Sequence, residues 1–260
     1  MMYTIPKILE LERRYSMRNQ VISLYDYTGE ALKPWAEMGY ECYAYDIQHS
    51  TPSKKENGIT YIKADLYNAD TLLDIVNRHK GKACFLSAFP PCTDLAVSGA
   101  PHFKKKLEAD PNCQKFATDN AICAANVGEL LDVPYYVENP VSRLSTLWRK
   151  PDYIYHPYEY GRYIALSEAE HPRYPEYIAP RDAYSKKTCL WTGGGFTMPD
   201  KFPVDCENFG SSRQHRKLGG KSLKTKNIRS ATPRGFSVAV AQVNPSTHST
   251  TRRWYRYRSI

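Results

Sequence analysis

Through the first half of the chain, apolar positions come in short runs separated by turn residues. Val21-Ile22-Ser23-Leu24-Tyr25 is nearly unbroken, the pattern of a strand buried on both faces. It leads into the loop Asp26-Tyr27-Thr28-Gly29. A helix is predicted over 33–38, with Gly39 as its stop. Glu41-Cys42-Tyr43-Ala44-Tyr45 reads as a second strand, ended by Asp46. Residues 59–63 read as a third, ended by Ala64-Asp65. Residues 70–78 place their apolar side chains on one helical face. Residues 83–89 form a fourth strand, stopped by Pro90 and Pro91, because proline cannot donate to a sheet ladder. A long helix is predicted over 114–131, and a fifth strand over 134–137 that ends at Glu138-Asn139-Pro140. Strands alternating with helices predict an α/β fold with a mostly parallel sheet and helices on both faces.

The alternation stops near Val141. Residues 141–229 are rich in Pro, Tyr, Gly and basic residues, and predict a small irregular region with a few short strands. Thr232-Pro233-Arg234-Gly235 then opens a last helix, FSVAVAQV. Thr232 is the expected cap, and Pro233 the first helical residue. Four parts follow: an α/β core over 1–140, the irregular region over 141–229, a helix over 230–244 that returns to the core, and a basic tail over 245–260 expected to be poorly ordered.

Charge changes this picture. The net charge is +9 over 260 residues. Residues 210–260 hold 12 Lys and Arg and no Asp or Glu. The remaining 24 basic residues face all 27 acidic ones, a net −3. The basic excess therefore lies in the last fifth of the chain. Such a one-signed block is either a solubilising surface or the footprint of a polyanion site. Lys221, Lys224 and Lys226 are its central lysines, and Trp254, Tyr255 and Tyr257 add rings able to stack on bases. The seven cysteines form no C-x-x-C pair, and the seven histidines no H-x-x-x-H pair. Neither a disulfide framework nor a metal site is predicted. No apolar run reaches membrane-span length, no leader is recognised, and a cytoplasmic setting is expected.

Candidate chemistry collects at predicted strand ends, the ligand edge of an open α/β sheet. Asp46, Asp65, Cys92 and Glu138 all fall there. Asp46 follows the second strand, roughly twenty residues after the glycine turn, where an acid takes the two ribose hydroxyls of a nucleoside. A solvated turn aspartate is the other reading of that position. Gly29 stands where a dinucleotide fingerprint needs three glycines, which argues against a pyrophosphate but allows a nucleoside beside Tyr27. Cys92 follows Pro90-Pro91 on a stiff loop. It reads either as a buried structural thiol or as a nucleophile. Glu138, in an apolar-walled cleft, would have its pKa pushed up and so donate a proton near neutrality. GGKS at 219–222 fails as a phosphate loop, because His215 stands where a glycine is required.

The order of these motifs, from about Val21 to Val243, resembles DNA cytosine-5 methyltransferases, in the compact form carried by phages and prophages. SLYDYTGEALKPWAEMGYECYAYDIQHS resembles the cofactor loop and the acid after it, and KADL the segment against adenine. FPPCTDLAVSG resembles the nucleophile loop, and VENP the Glu-Asn motif. KKTCLW resembles the motif before target recognition, and RSATPRGFSVAVAQ the closing helix. The chain departs from the family at Tyr25, where an Asp is usual, and at Glu30 or Ala31, where a second glycine is usual. Thr93 replaces a Gln, Pro140 a Val, and Lys186-Lys187 a pair of arginines.

The resemblance implies a Rossmann-like class I methyltransferase fold and transfer of a methyl group from S-adenosylmethionine to C5 of a flipped-out cytosine in DNA. Cys92 would add to C6, and Glu138 would bond N3. Tyr27, Thr28, Gly29, Asp46, Ile47, Asp65, Leu66, Pro90, Ser230 and Ala231 would hold the cofactor. Ser98, Arg143, Lys186 and Lys187 would touch DNA, together with the three lysines of the basic block. The segment TDLAVSG would close on the flipped base. Two other readings are kept: a silent DNA-binding relative, motivated by the altered cofactor loop, and the same chemistry on RNA or a nucleotide, motivated by the small recognition region.

Overall fold

The computed structural model describes residues 18–220 and 222–245. Lys221 and the tail with Trp254, Tyr255 and Tyr257 lie outside the described residues. The strands are β1 (Gln20–Leu24), β2 (Glu41–Asp46), β3 (Lys54–Glu56), β4 (Ile59–Lys63), β5 (Ala83–Ala88), β6 (Tyr135–Pro140), β7 (Tyr153–Tyr155) and β8 (Thr188–Gly193). The helices are α1 (Lys33–Glu37), α2 (Ala69–His79), α3 (Phe103–Ala109), α4 (Cys113–Leu131), α5 (Leu144–Leu147), α6 (Arg213–Lys217), α7 (Leu223–Ser230) and α8 (Arg234–Val243). Short 3₁₀ turns fill much of the chain between β7 and β8.

All eight strands form one sheet in the order β3-β4-β2-β1-β5-β6-β8-β7. The run from β4 to β6 is parallel, while β3, β8 and β7 pair antiparallel. The five parallel strands thus follow the doubly wound order, third-second-first-fourth-fifth, and this α/β sheet is consistent with a Rossmann-like arrangement. The order reverses between β1 and β5, and the loops that leave those strands diverge to open a crevice there.

Alternation along each strand divides the core in two. Ile22, Leu24, Leu86, Ala88 and Val137 face α2 and α4 through Leu72, Ile75, Ala121 and Ala124. Val21, Cys42, Ala44, Phe85 and Tyr136 face the other way, against Trp35 of α1 and Phe236, Ala239 and Val240 of α8. Both faces are therefore covered, which is why the central strands read as continuous apolar runs.

Four expectations are corrected. First, β3 was not foreseen. Its residues are charged and exposed, but Asn57-Gly58, both at positive φ, make the tight turn that pairs it with β4. Second, Glu138 lies within β6 rather than past its end, because β8 pairs with β6 through Pro140, whereas β5 pairs only as far as Val137. Third, the region expected to be irregular contributes β7 and β8 to the main sheet and carries α5, α6 and α7. Fourth, Thr232 does not cap α8: Pro233 holds the cap position without a side-chain bond. The buried N–H of Gly235 is taken instead by Asp182 Oδ2 at 3.0 Å, so a remote carboxyl satisfies the free donor of the first turn. Gly39 does stop α1, in the left-handed conformation at φ +86.

Candidate functional site

The loop after β1 turns sharply. Tyr25 adopts φ +57, packs on the α2/α4 side of the sheet, and donates from its hydroxyl to the Leu66 carbonyl at 3.0 Å. This reversal aims the next residue, Asp26, into the loop. Asp26 Oδ1 accepts from Gly29 N–H at 2.7 Å, and Oδ2 from Ser23 Oγ at 2.8 Å. Burial raises its pKa against those bonds. Gly29 is required twice over. Its φ is +70, and a Cβ there would lie 2.6 Å from the Tyr61 hydroxyl.

A cleft open to solvent lies above this loop at the switch point. Tyr25, Asp26, Tyr27, Thr28, Asp46, Gln48, Phe89, Asn227, Ser230 and Thr232 line it. Its walls come from the ends of β1, β2 and β5 and from the α7–α8 junction. Asn227 Nδ2 donates to Gln48 Oε1 at 3.1 Å, joining α7 to the loop after β2. Tyr27 stacks on His49 at 5.8 Å. Asp46, the last residue of β2, is buried and accepts from Gln48 N–H at 2.8 Å. Burial raises its pKa, opposed by Gln48 and His49. The cavity holds two acids and no Lys or Arg. That composition repels a pyrophosphate and suits a nucleoside that is neutral or cationic.

Of the residues expected to hold a cofactor, Tyr27, Thr28, Asp46 and Ser230 line the cavity. The others stand outside its lining. Ile47 is exposed beside Asp46, and Ala231 is buried between two lining residues. Asp65 is exposed and accepts from Tyr67 N–H at 3.1 Å, so it caps its own turn. Leu66 is buried and Pro90 is turned to another task. Tyr25, Asp26, Gln48, Phe89, Asn227 and Thr232 were missed. Asp26 and Phe89 adjoin residues already marked in the sequence, but no sequence signal brings Asn227 to Gln48.

Beyond β5, the backbone of Pro90-Pro91-Cys92 crosses the sheet edge under firm restraint. Asn139 Nδ2 donates to the Pro90 carbonyl at 3.0 Å. Leu95 and Ala96 donate to the Cys92 carbonyl at 3.0 and 2.8 Å. Lys106 Nζ reaches Asp94 Oδ1 at 2.9 Å and the Thr93 carbonyl at 2.5 Å. Gln114 Nε2 holds the Asp94 carbonyl at 3.1 Å, and Arg143 in turn bonds Gln114 Oε1 at 2.5 Å. Arg143, expected at DNA, is thus engaged in bracing this loop, while Ser98 is exposed.

Cys92 is half-buried. Burial raises its pKa first, the Glu138 carboxylate raises it further, and Lys186 and Lys106 pull it down. Glu138 is itself raised by burial and lowered by Lys186. Its Oε1 is enclosed without a hydrogen-bond partner. A buried acceptor left unpaired is costly, and protonation or a ligand donor relieves it. Cys92, Glu138 and Lys186 therefore form one electrostatic group, with the thiol from the loop after β5 and the acid from the part of β6 that outruns β5. Lys186, expected at DNA, is half-buried and donates to the Arg229 carbonyl at 3.2 Å.

The basic block is partly spent on the fold. Arg213 and Arg216 pair with Glu207, while Arg229 and Arg234 donate to backbone carbonyls. Lys187, Lys217, Lys224 and Lys226 remain exposed. Among the described residues, no group of three His, Cys, Asp or Glu side chains could hold a metal ion, and no helix is long and apolar enough to cross a membrane.

No protein-family model matches the chain. No curated protein matches it either.

Proposed function

We propose that this chain is a DNA cytosine-5 methyltransferase of class I fold that uses S-adenosylmethionine. One observation carries the reading: a half-buried thiol and an enclosed, unpartnered carboxyl share one electrostatic group in a sheet whose switch point opens a cleft lined by two acids and three aromatic rings.

The cavity fits the cofactor. Asp46 is placed for the ribose hydroxyls, Tyr27 and Phe89 offer rings to the base, and the two acids favour the sulfonium charge. When bound, S-adenosylmethionine supplies an electrophilic methyl group, to which cytosine C5 adds. The protein's part is to make C5 nucleophilic. Cys92 Sγ, once deprotonated, bonds C6 and breaks the ring's 5,6 double bond, moving electron density toward C5. Glu138 in its protonated form donates to N3 and offsets the charge that develops there. Loss of the C5 proton to a water molecule then restores the double bond and expels the Cys92 thiolate, and N3 returns its proton to Glu138. The exposed cations hold the phosphates of a strand whose target base has left the stack.

The deciding experiment is a covalent trap. Duplex DNA containing 5-fluorocytosine has no C5 proton to lose, so the Cys92–C6 bond should persist as a complex stable to denaturing electrophoresis. It should form only with S-adenosylmethionine present. Absence of any complex, across DNA that spans many sequences, overturns the proposal.

The same reading makes Asp46→Ala a cofactor variant. Losing a charge-assisted bond to ribose costs roughly 1.5–3 kcal/mol, so affinity for S-adenosylhomocysteine should fall about ten- to a hundredfold. Titration calorimetry measures it. An unchanged affinity would leave Asp46 as a turn residue that holds only Gln48.

A further inference from the structure

Phe209 is 71% exposed, a large ring with most of its surface in solvent. Its exposure is not that of a loose loop. Gly210 N–H donates to Ser185 Oγ at 2.8 Å, and Glu207 N–H donates to the Ala183 carbonyl at 2.7 Å. Arg213 Nε holds Glu207 Oε2 at 2.9 Å, and its Nη1 reaches the Pro175 carbonyl at 3.2 Å. Tyr158 and Phe209 form a T-shaped pair, with ring centroids 5.5 Å apart and planes at 80°. The loop is thus clamped to 183–185, and the next residue, Lys186, belongs to the electrostatic group of Cys92 and Glu138.

The surroundings say what the ring meets. An exposed aromatic on a protein-binding surface sits in an apolar patch. Here it is followed by Arg213, Arg216 and Lys217 of α6. Glu207 pairs with both Arg213 and Arg216, one carboxyl against two guanidinium groups, so these three side chains keep a net positive charge, to which the exposed Lys217 adds. A rigid ring set among cations is the composition of a single-strand nucleic-acid platform, where phosphates follow the charges and bases stack on the ring.

We propose that Phe209 is a stacking platform for an unstacked nucleobase of the substrate strand, held in register with the reactive pair through Ser185. The inference rests on the nucleic-acid reading above, but not on the methyl-transfer step.

The test uses full-length protein and two fluorescein-labelled oligodeoxynucleotides, read by anisotropy at several salt concentrations. One has a mixed base sequence. The other carries a run of abasic sites on the same phosphates. Phe209→Ala should bind the first strand roughly ten- to a hundredfold more weakly than wild type, and Phe209→Trp should restore binding. On the abasic strand, wild type and Phe209→Ala should bind alike. The slope of log K against log salt should be the same for both proteins, because no cation is lost. Unchanged S-adenosylhomocysteine binding and thermal unfolding confirm the variant's fold. Equal binding of wild type and Phe209→Ala to the mixed strand overturns this proposal alone and leaves the ring to a protein partner. An equal loss on both strands also overturns it. Failure of wild type to bind either single strand overturns this proposal, while the methyltransferase reading stands or falls by the covalent trap on duplex DNA.

Discussion

Cys92→Ser is expected to abolish methyl transfer, a loss on the order of 10⁴-fold or more, while S-adenosylhomocysteine still binds with wild-type affinity. A serine hydroxyl is a far poorer nucleophile at neutral pH than a thiol with an accessible thiolate. The site makes that thiolate conditional. Burial and Glu138 hold the proton on Sγ, and Lys186 and Lys106 draw it off. Cys189 also feels the Glu138 carboxylate, but it is buried within β8. Cys42 and Cys84 are buried within β2 and β5, and burial pushes the Cys84 thiol up to about 12. Transfer of tritiated methyl groups to DNA measures the loss, and calorimetry measures cofactor binding. A serine variant with full activity would sink the covalent mechanism. One that lost activity and cofactor affinity together would make Cys92 a structural residue.

Much of this site was legible because its parts sit where apolar runs stop. A parallel sheet buries its strands on both faces, so each run marks a strand, and each stop marks the ligand edge. That rule points to Asp46, the last residue of β2, and to Cys92, past the end of β5. It failed where a second strand altered the stop: β8 extends β6 past Val137 and carries Glu138 inside the sheet. The segment that supplies β8 is interrupted by Pro, Gly and Tyr, so hydropathy did not reveal that it returns to the core. Asn57-Gly58 announced β3 in plain turn chemistry, but the strand itself is charged and has no apolar pattern. Lys186 and Arg143, DNA contacts implied by the family resemblance, each have a second role that no motif announces: Lys186 joins the electrostatic group of the reactive pair, and Arg143 braces the loop through Gln114. The cavity walls from Gln48 and Asn227 meet across 179 residues of chain. Local sequence holds no record of such a contact.

Glu138→Gln should move two measurements in opposite directions. Methyl transfer should fall about 10²- to 10⁴-fold, because an amide can offer N3 a hydrogen bond but cannot give it a proton. Alkylation of Cys92 by iodoacetamide, followed up to a pH at which wild-type Glu138 is ionised, should instead become faster there. The carboxylate that opposes the thiolate is gone, and Lys186 and Lys106 are left to act on Sγ. The pH dependence follows from the two raised values. Glu138 keeps its proton to higher pH than an exposed glutamate and loses it as pH rises through that raised value. Cys92 becomes thiolate only as pH rises through its own. Transfer needs the protonated acid and the thiolate at once. Wild-type activity should therefore climb with pH, then level off above the Glu138 value, as gain of thiolate is cancelled by loss of acid. The glutamine variant has no acid to lose, so its small residual activity should keep climbing until the thiol has titrated. An amide in place of a desolvated carboxylate also removes a burial cost at neutral pH, so the variant should fold. Transfer that survives the substitution would remove Glu138 from the chemistry. An alkylation rate that does not change would mean that acid and thiol are not electrically coupled, and the paired mechanism would fall with that coupling.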